Sequence, residues 1–425
     1  MTLTRPRLSA FVLIPMAAAI VVAAIVPGNA EFVQQGADQG FTYGYLPTLV
    51  LHHDLDFSRA ALPFDSSMPH TVTGRSHNAF PMGPSIWWTP AFVGAYGATA
   101  AVNAIRPGHP IANDGRSRAY DMLVGLASMA LAIVGLWAVL RITRRFAPPV
   151  PATLATIGIW LAGPLVYYAN EAPLQSHVAG FTSSALLVLL WLRYRDRTDM
   201  TLSRVALLGI LGGFVALSRW QDLVILIGPG VDVLIGRLRR RRGPDLPGAA
   251  AFGLGVVVGV LPQLAVWNGL YGSPFRPPRG EAAGGFLNLA RLEVSGVLFS
   301  WWHGLFSWHP LLGLAVVGLV LGLRHHRMVC GSLLAALAVM VLVNAGVLDW
   351  WAGAAFGGRR FDGLWPGLAI GLAIIFAKMP RVLAIALTAA AAGWNWLLLC
   401  AFTGGTIPTN AAVTPAALVR AVPKT

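Results

Sequence analysis

Residues 84–105 read PSIWWTPAFVGAYGATAAVNAI, an apolar stretch long enough to cross a bilayer but set among prolines, glycines and tryptophans. Its reading decides the topology. If it crosses the membrane, Arg141, Arg144, Arg145 and the run Arg237 to Arg242 fall on the outer side. If it lies along the outer interface, every dense basic cluster falls inside, as charge bias between loops requires.

The interfacial reading is therefore adopted. Apolar windows then lie near 8–27, 119–140, 150–168, 178–192, 202–218, 223–236, 248–268, 310–323, 328–347, 363–377 and 382–402. Several fall short of the roughly 20 residues of a straight span, so their ends are soft. The inner side carries 18 Lys and Arg against 4 Asp and Glu, and the outer side 13 against 13, which places the whole net charge of +14 inside. Such a distribution orients a membrane protein; it excludes nucleic acid as the reason for the charge.

Composition agrees. Of 425 residues 56% are hydrophobic and 11% charged, with mean hydropathy +0.64. The class is a polytopic membrane protein. Cys330 and Cys400 both sit in apolar runs, so no disulfide framework is implied. The first apolar window resembles a signal peptide with small residues at 28–30. Its nineteen uncharged residues exceed a usual signal core and suit an uncleaved first helix better. The expected architecture is all-α, about eleven spans, with the N-terminus inside and the C-terminus outside. It forms a single domain over 1–402, a first outer loop at 28–118 carrying interfacial helices, and a flexible outer tail at 403–425.

The outer side holds eight of ten histidines and most of the tryptophans, which a symmetric aromatic belt does not explain. Within the first loop, Asp38 follows the first span closely and stands beside the aromatic run GFTYGYLP. It is either a solvated loop acid or a shielded carboxylate able to take a proton from a hydroxyl. Glu171 and His177 frame the turn NEAPLQSH, as a solvated acid and a helix cap or as part of an acid/base set with Asp38. His52, His53, Asp54 and Asp56 lack the helical spacing that would converge on an ion. The sequence assigns no cofactor, and a divalent cation has no ligand spacing to support it.

Between two apolar windows stands DWWAGAAFGGRRFDGLWP, residues 349–366. Arg359 and Arg360 lie outside, where snorkelling arginines are not favoured, and follow a glycine-rich turn that lets backbone approach a ligand. Guanidinium groups grip phosphate oxygens in a bidentate fork, so an anionic lipid headgroup is the natural ligand, with tryptophans such as Trp351 packing its chain or a sugar ring.

Seven stretches, in chain order, carry a resemblance: HHDLDF, FPMGPSIWWTPAF, NEAPLQSH, LSRWQD, YGSPFRPPRG, SWWHGLFSWHP and DWWAGAAFGGRRFDGLWP. With the topology, they resemble the bacterial branch of the GT-C-fold membrane glycosyltransferases. That superfamily includes the protein O-mannosyltransferases, the aminoarabinose transferases of lipid A and the oligosaccharyltransferases. The resemblance implies an inner-membrane enzyme with a periplasmic active site, moving a sugar with inversion from a polyprenyl-phosphate donor to a glycan, lipid or protein hydroxyl. Asp38 would be the general base and the outer arginines would hold the lipid phosphate. The second family acid is usually Asp, whereas the matching loop here offers Glu171. Arg359, Arg360, Arg219, His77, His177 and Trp351 form the expected substrate-binding set. The expected partners are the lipid-linked donor, membrane lipids and a periplasmic acceptor. An O-antigen ligase or polymerase acting on preassembled glycan is the nearest alternative. A lipid-linked glycan transporter is disfavoured, because charged residues within spans are essentially missing.

Overall fold

The computed structural model describes residues 37–59, 70–275, 288, 290–414 and 417. The expected first helix at 8–27, parts of the outer loops at 28–36, 60–69 and 276–287, and the end of the tail lie outside the described residues. Among the described residues regular structure is helical, apart from isolated bridge residues such as the pair His70 and Ser76.

After α1 (Ala37–Tyr43), the stretch that opens the topology question forms a single 23-residue helix, α2 (Gly83–Ile105). Its buried residues Ser85, Trp88, Phe92, Ala95 and Thr99 recur at intervals of three and four, one face of a helix. That face meets Tyr43 and Leu46 near α1 and Tyr120 and Val124 in the first turns of α3 (Arg118–Thr143). The Trp87 indole donates to the Ser183 hydroxyl at 3.1 Å. Much of the rest of α2 is exposed, and it is not among the helices whose length and composition suit a crossing.

Five described helices do meet that standard: α3, α6 (Ser176–Arg195), α9 (Leu246–Tyr271), α12 (Leu311–Gly346) and α14 (Arg381–Thr403). The 36-residue α12 contains two spans. At His326 the backbone leaves helical geometry (φ −130°, ψ 41°), and a Cβ on Gly322 would stand 2.6 Å from the Cys330 sulfur. In a straight helix those residues would be about 12 Å apart along the axis. The chain folds back there, between the windows 310–323 and 328–347.

Other windows are broken or short, for visible reasons. The window 150–168 splits into α4 (Pro149–Leu161) and α5 (Leu165–Asn170) around Gly163 and Pro164. The carbonyls freed at Leu161 and Gly163 each accept from the Asn395 side-chain amide at 3.0 Å, which keeps the break tolerable inside a membrane. After α7 (Leu202–Ser218) the segment Trp220–Leu226 winds as a 3₁₀ turn into the short α8 (Ile227–Leu234). Between α9 and α12, in the stretch expected to face outward, lie the short α10 (Val294–Phe299) and α11 (Leu305–Trp308). A second 3₁₀ turn, Arg359–Leu364, leads into α13 (Trp365–Phe376), which is buried along its whole length.

Helices α7 and α9 pack backbone to backbone. A Cβ on Gly255 would run into the Ala206 carbonyl, one on Gly259 into the Ile210 carbonyl, and one on Gly213 would lie 2.8 Å from the Gly259 Cα. Two glycines four apart on each helix thus make one small-residue seam, the usual means of close helix approach in lipid. Gly259→Leu should lower the melting temperature in detergent, since overpacking costs about 1–3 kcal/mol. Gly253→Leu, where a Cβ meets open space, should not; equal melting of the two variants would remove the seam from the packing account.

Candidate functional site

The arginine turn is built by local backbone chemistry. Ala352, Gly353 and Gly357 all take left-handed backbone angles, and at Gly357 (φ +62°) a Cβ would collide with the His309 ring. Only glycine fits there. The turn then presents Arg359 and Arg360 in succession from a 3₁₀ segment.

The two arginines diverge. Arg359 donates from Nη1 to Asp38 Oδ2 at 2.9 Å and to Gln175 Oε1 at 3.4 Å, and from Nη2 to the Ala352 carbonyl at 2.9 Å. Arg360 instead turns back on its own loop, donating to the Asp349 carboxylate at 2.7 Å and to the Asp349 carbonyl at 3.0 Å. Burial disfavours charge on both. Around Arg359 the groups Tyr168, Asp38 and Asp362 outweigh that cost and hold its pKa above the usual value. Around Arg360 burial wins and the pKa is lowered. Asp38 itself is partly open to solvent, with 36% of its side chain exposed.

Beneath this pair lies a buried polar chain. Arg219 Nη1 contacts His177 Nδ1 at 2.9 Å and donates to Ser176 Oγ at 2.9 Å, while its Nε stands 3.8 Å from Asp222 Oδ2. His177 Nδ1 is 2.5 Å from Asp362 Oδ2, and the imidazole stacks on Tyr168 at 3.8 Å. Nδ1 has one lone pair or one hydrogen, so it serves one of its two neighbours at a time. Asp222 and Asp362 are both essentially inaccessible to solvent. Burial raises Asp222 to about 7 against the pull of Arg219, and raises Asp362 well above the carboxylate range.

The aromatic wall is equally specific. Trp302 stacks on Trp351 at 4.5 Å and meets Trp350 edge-on at 6.1 Å. His303 Nδ1 donates to the Trp351 carbonyl at 2.7 Å; burial lowers its pKa to about 4, which keeps the ring neutral.

Of the residues expected from sequence, Asp38 and Arg359 meet directly, and Arg219 meets His177 one layer below. Trp351 joins the same loop as Arg360. Glu171 stands exposed at the end of α5 and forms no ion pair among the described residues. His77 contacts Tyr271, with Nδ1 3.1 Å from its hydroxyl. Asp222 and Asp362 did not emerge as site candidates from sequence. Each lies in a quoted stretch, RWQD and GGRRFDGLWP, but nothing in spacing shows that residues 177, 219, 222 and 362 converge. Among the described residues no group of three or more His, Cys, Asp or Glu is placed to hold a metal ion.

No family model matches the sequence, and comparison with curated proteins finds no match. In three dimensions the chain resembles the crystal structure of ArnT from Cupriavidus metallidurans in the apo state. The match has TM-score 0.54 and 12% identity, over 93% of this chain and 66% of that one. At that identity the likeness is one of fold. The chain accordingly has an all-α, polytopic membrane fold like that of the ArnT structure.

Proposed function

We propose that the protein is a membrane glycosyltransferase of GT-C type that moves a sugar from a polyprenyl-phosphate carrier to a hydroxyl group at the outer face of the inner membrane. The observation that carries this reading is the Asp38–Arg359 pair, a carboxylate and a guanidinium 2.9 Å apart on a fold shared with an aminoarabinose transferase. The chain covers 66% of that protein's length, so donor and acceptor are part of the proposal.

In this reading the ion pair is a resting arrangement. Arg359 lets go of Asp38 when a lipid phosphate arrives and forks onto the phosphate oxygens instead. The released carboxylate then accepts the acceptor hydroxyl's proton. The acceptor oxygen attacks the anomeric carbon from the face opposite the phosphate, the sugar–oxygen bond to phosphate breaks, and configuration inverts. The departing phosphate keeps the bonding pair, and Arg359 neutralises it. Arg360 shapes the loop through Asp349, and the stacked Trp302 and Trp351 offer an apolar face to the carrier or the sugar.

Arg359→Lys keeps the charge and loses the fork. It should weaken donor use at least tenfold, about 1.4 kcal/mol of transition-state binding, measured as kcat/KM for lipid-linked sugar in nanodiscs. Turnover unchanged in a folded Arg359→Ala variant would make the arginine a membrane anchor and end the proposal. Extraction of lipid-linked sugars from a deletion strain identifies the donor as the species that accumulates.

A further inference from the structure

Away from the outer site, the inner ends of the helices line a solvent-open cavity of about 1060 Å³. It is as large as the upper range of small-molecule sites, about 300–1,000 Å³. Its walls come from four separate places in the chain. Arg141, Arg144 and Arg145 stand at the end of α3, Arg193 at the end of α6, Arg237 beyond α8, and Arg327 just past the fold-back of α12. His325 and His326 complete the rim, and Asp196 is the one acid that lines it.

The ion pairing is lopsided. Arg145 pairs with Asp196 and donates to the Leu192 carbonyl at 3.1 Å, and Arg195, also on the wall, pairs with the buried Asp232. Among the described residues no carboxylate pairs with Arg141, Arg144, Arg193, Arg237 or Arg327. Five guanidinium groups thus share one cavity with no carboxylate paired to them among the described residues, Asp196 being taken by Arg145. Burial and the neighbouring Arg193 both lower the Arg145 pKa. The fold-back adds a further positive feature. The helical segment that restarts after His326 begins at the same cavity, with Arg327, Met328 and Val329 in its lining, so the positive end of its dipole lies there.

Orientation in the membrane asks for basic residues near the inner ends of spans. It does not ask that arginines from four elements surround one cavity. We infer that this inner-face cavity is a binding site for an anion carrying at least two phosphate groups, with Arg141, Arg144, Arg193, Arg237 and Arg327 as its ligands. One phosphate occupies one or two guanidinium forks, so five unpaired arginines are more than a single phosphate engages. The ligand is either a two-phosphate lipid headgroup of the inner leaflet or a soluble polyphosphate.

The test uses the purified full chain in detergent, with four probes: diphosphatidylglycerol, phosphatidylglycerol, phosphatidylcholine and inorganic pyrophosphate. Binding is read by native mass spectrometry and by the shift in melting temperature. The expected result is one saturable site that prefers a two-phosphate probe over phosphatidylglycerol at least tenfold. Preference for diphosphatidylglycerol assigns the lipid source; displacement of bound lipid by pyrophosphate assigns the soluble one. Arg144→Gln with Arg193→Gln should weaken that binding at least tenfold. Arg241→Gln with Arg242→Gln, which removes the same charge from the same face outside the cavity, should change it less than twofold. Equal weakening by the two double variants would show general surface charge and overturn the site. So would binding to wild type no stronger than that of phosphatidylcholine, a reading that holds even if the cavity variant fails to fold.

Discussion

Asp38→Asn is expected to reduce turnover about 10²–10⁴-fold, the usual contribution of a general base. Donor binding should stay intact or become tighter. The direction of the second effect follows from the resting pair. On the proposed mechanism a donor phosphate displaces the Asp38 carboxylate, which in the resting protein holds Arg359 Nη1. The amide of Asn competes for that guanidinium less strongly, so Arg359 is freer to meet the donor. A combined loss of turnover and gain in donor affinity separates a base from a purely structural acid, whose removal would weaken both. Glu171→Gln is the comparison; from its exposed position it should stay within a few-fold of wild type, and an equal collapse would argue for a shared role. Turnover and lipid-donor binding in nanodiscs decide the matter. Activity of Asp38→Asn within a few-fold of wild type would remove Asp38 from the mechanism.

The largest effect on stability is expected at Arg219. Its guanidinium is the cation closest to the buried Asp222 and contacts His177, which in turn holds Asp362. Arg219→Met fills the volume but strands two inaccessible carboxyl groups, and breaking a buried pair in this way costs about 3–5 kcal/mol. The variant should melt far below wild type in detergent at pH 8 and recover part of the loss at pH 5, where the acids can be protonated.

The sign for the wild type follows from Asp222, raised from its ordinary 3.8 to about 7. Between those values the folded protein binds a proton that the unfolded chain has released. Its contribution to stability is therefore complete below about pH 4 and is lost as pH rises through about 7. Asp222→Asn should flatten that decline. An Arg219→Met variant that melts with wild type at both pH values would show that the buried acids do not depend on the arginine.

Much of this architecture is legible in sequence because a membrane restricts the chain so severely. Charge bias alone sets Gly83–Ile105 apart from the expected spans, and that helix also falls outside those whose length and composition suit a crossing; the windows 310–323 and 328–347 are the two arms on either side of His326. The single window 150–168 instead breaks into α4 and α5, and α13 fills 12 residues of the window 363–377. The meeting of Asp38 with Arg359 joins residues 321 apart; sequence nominates both for different reasons, but only the fold puts them together. The buried chain through Asp222 and Asp362 was hidden because its members look like ordinary loop acids until α6 and the two 3₁₀ turns pack against each other. The divergence of Arg359 and Arg360 is equally invisible in the sequence. Adjacency suggested a shared ligand, whereas a 3₁₀ turn aims neighbouring side chains in different directions, and Arg360 reaches Asp349.

Trp365 begins α13 directly after the arginine turn, and its indole lies so close over Gly163 that a Cβ there would overlap the ring. The break between α4 and α5 is thus a socket, and the tryptophan is the plug that sets where the turn sits along the helices. Arg359 takes its height from this seat, six residues along the chain, as well as from its own hydrogen bonds. A methyl group added at position 163 would lift the plug and carry the arginine with it. Such a lesion, remote from any reacting atom, would register in an assay as a fault in gripping phosphate.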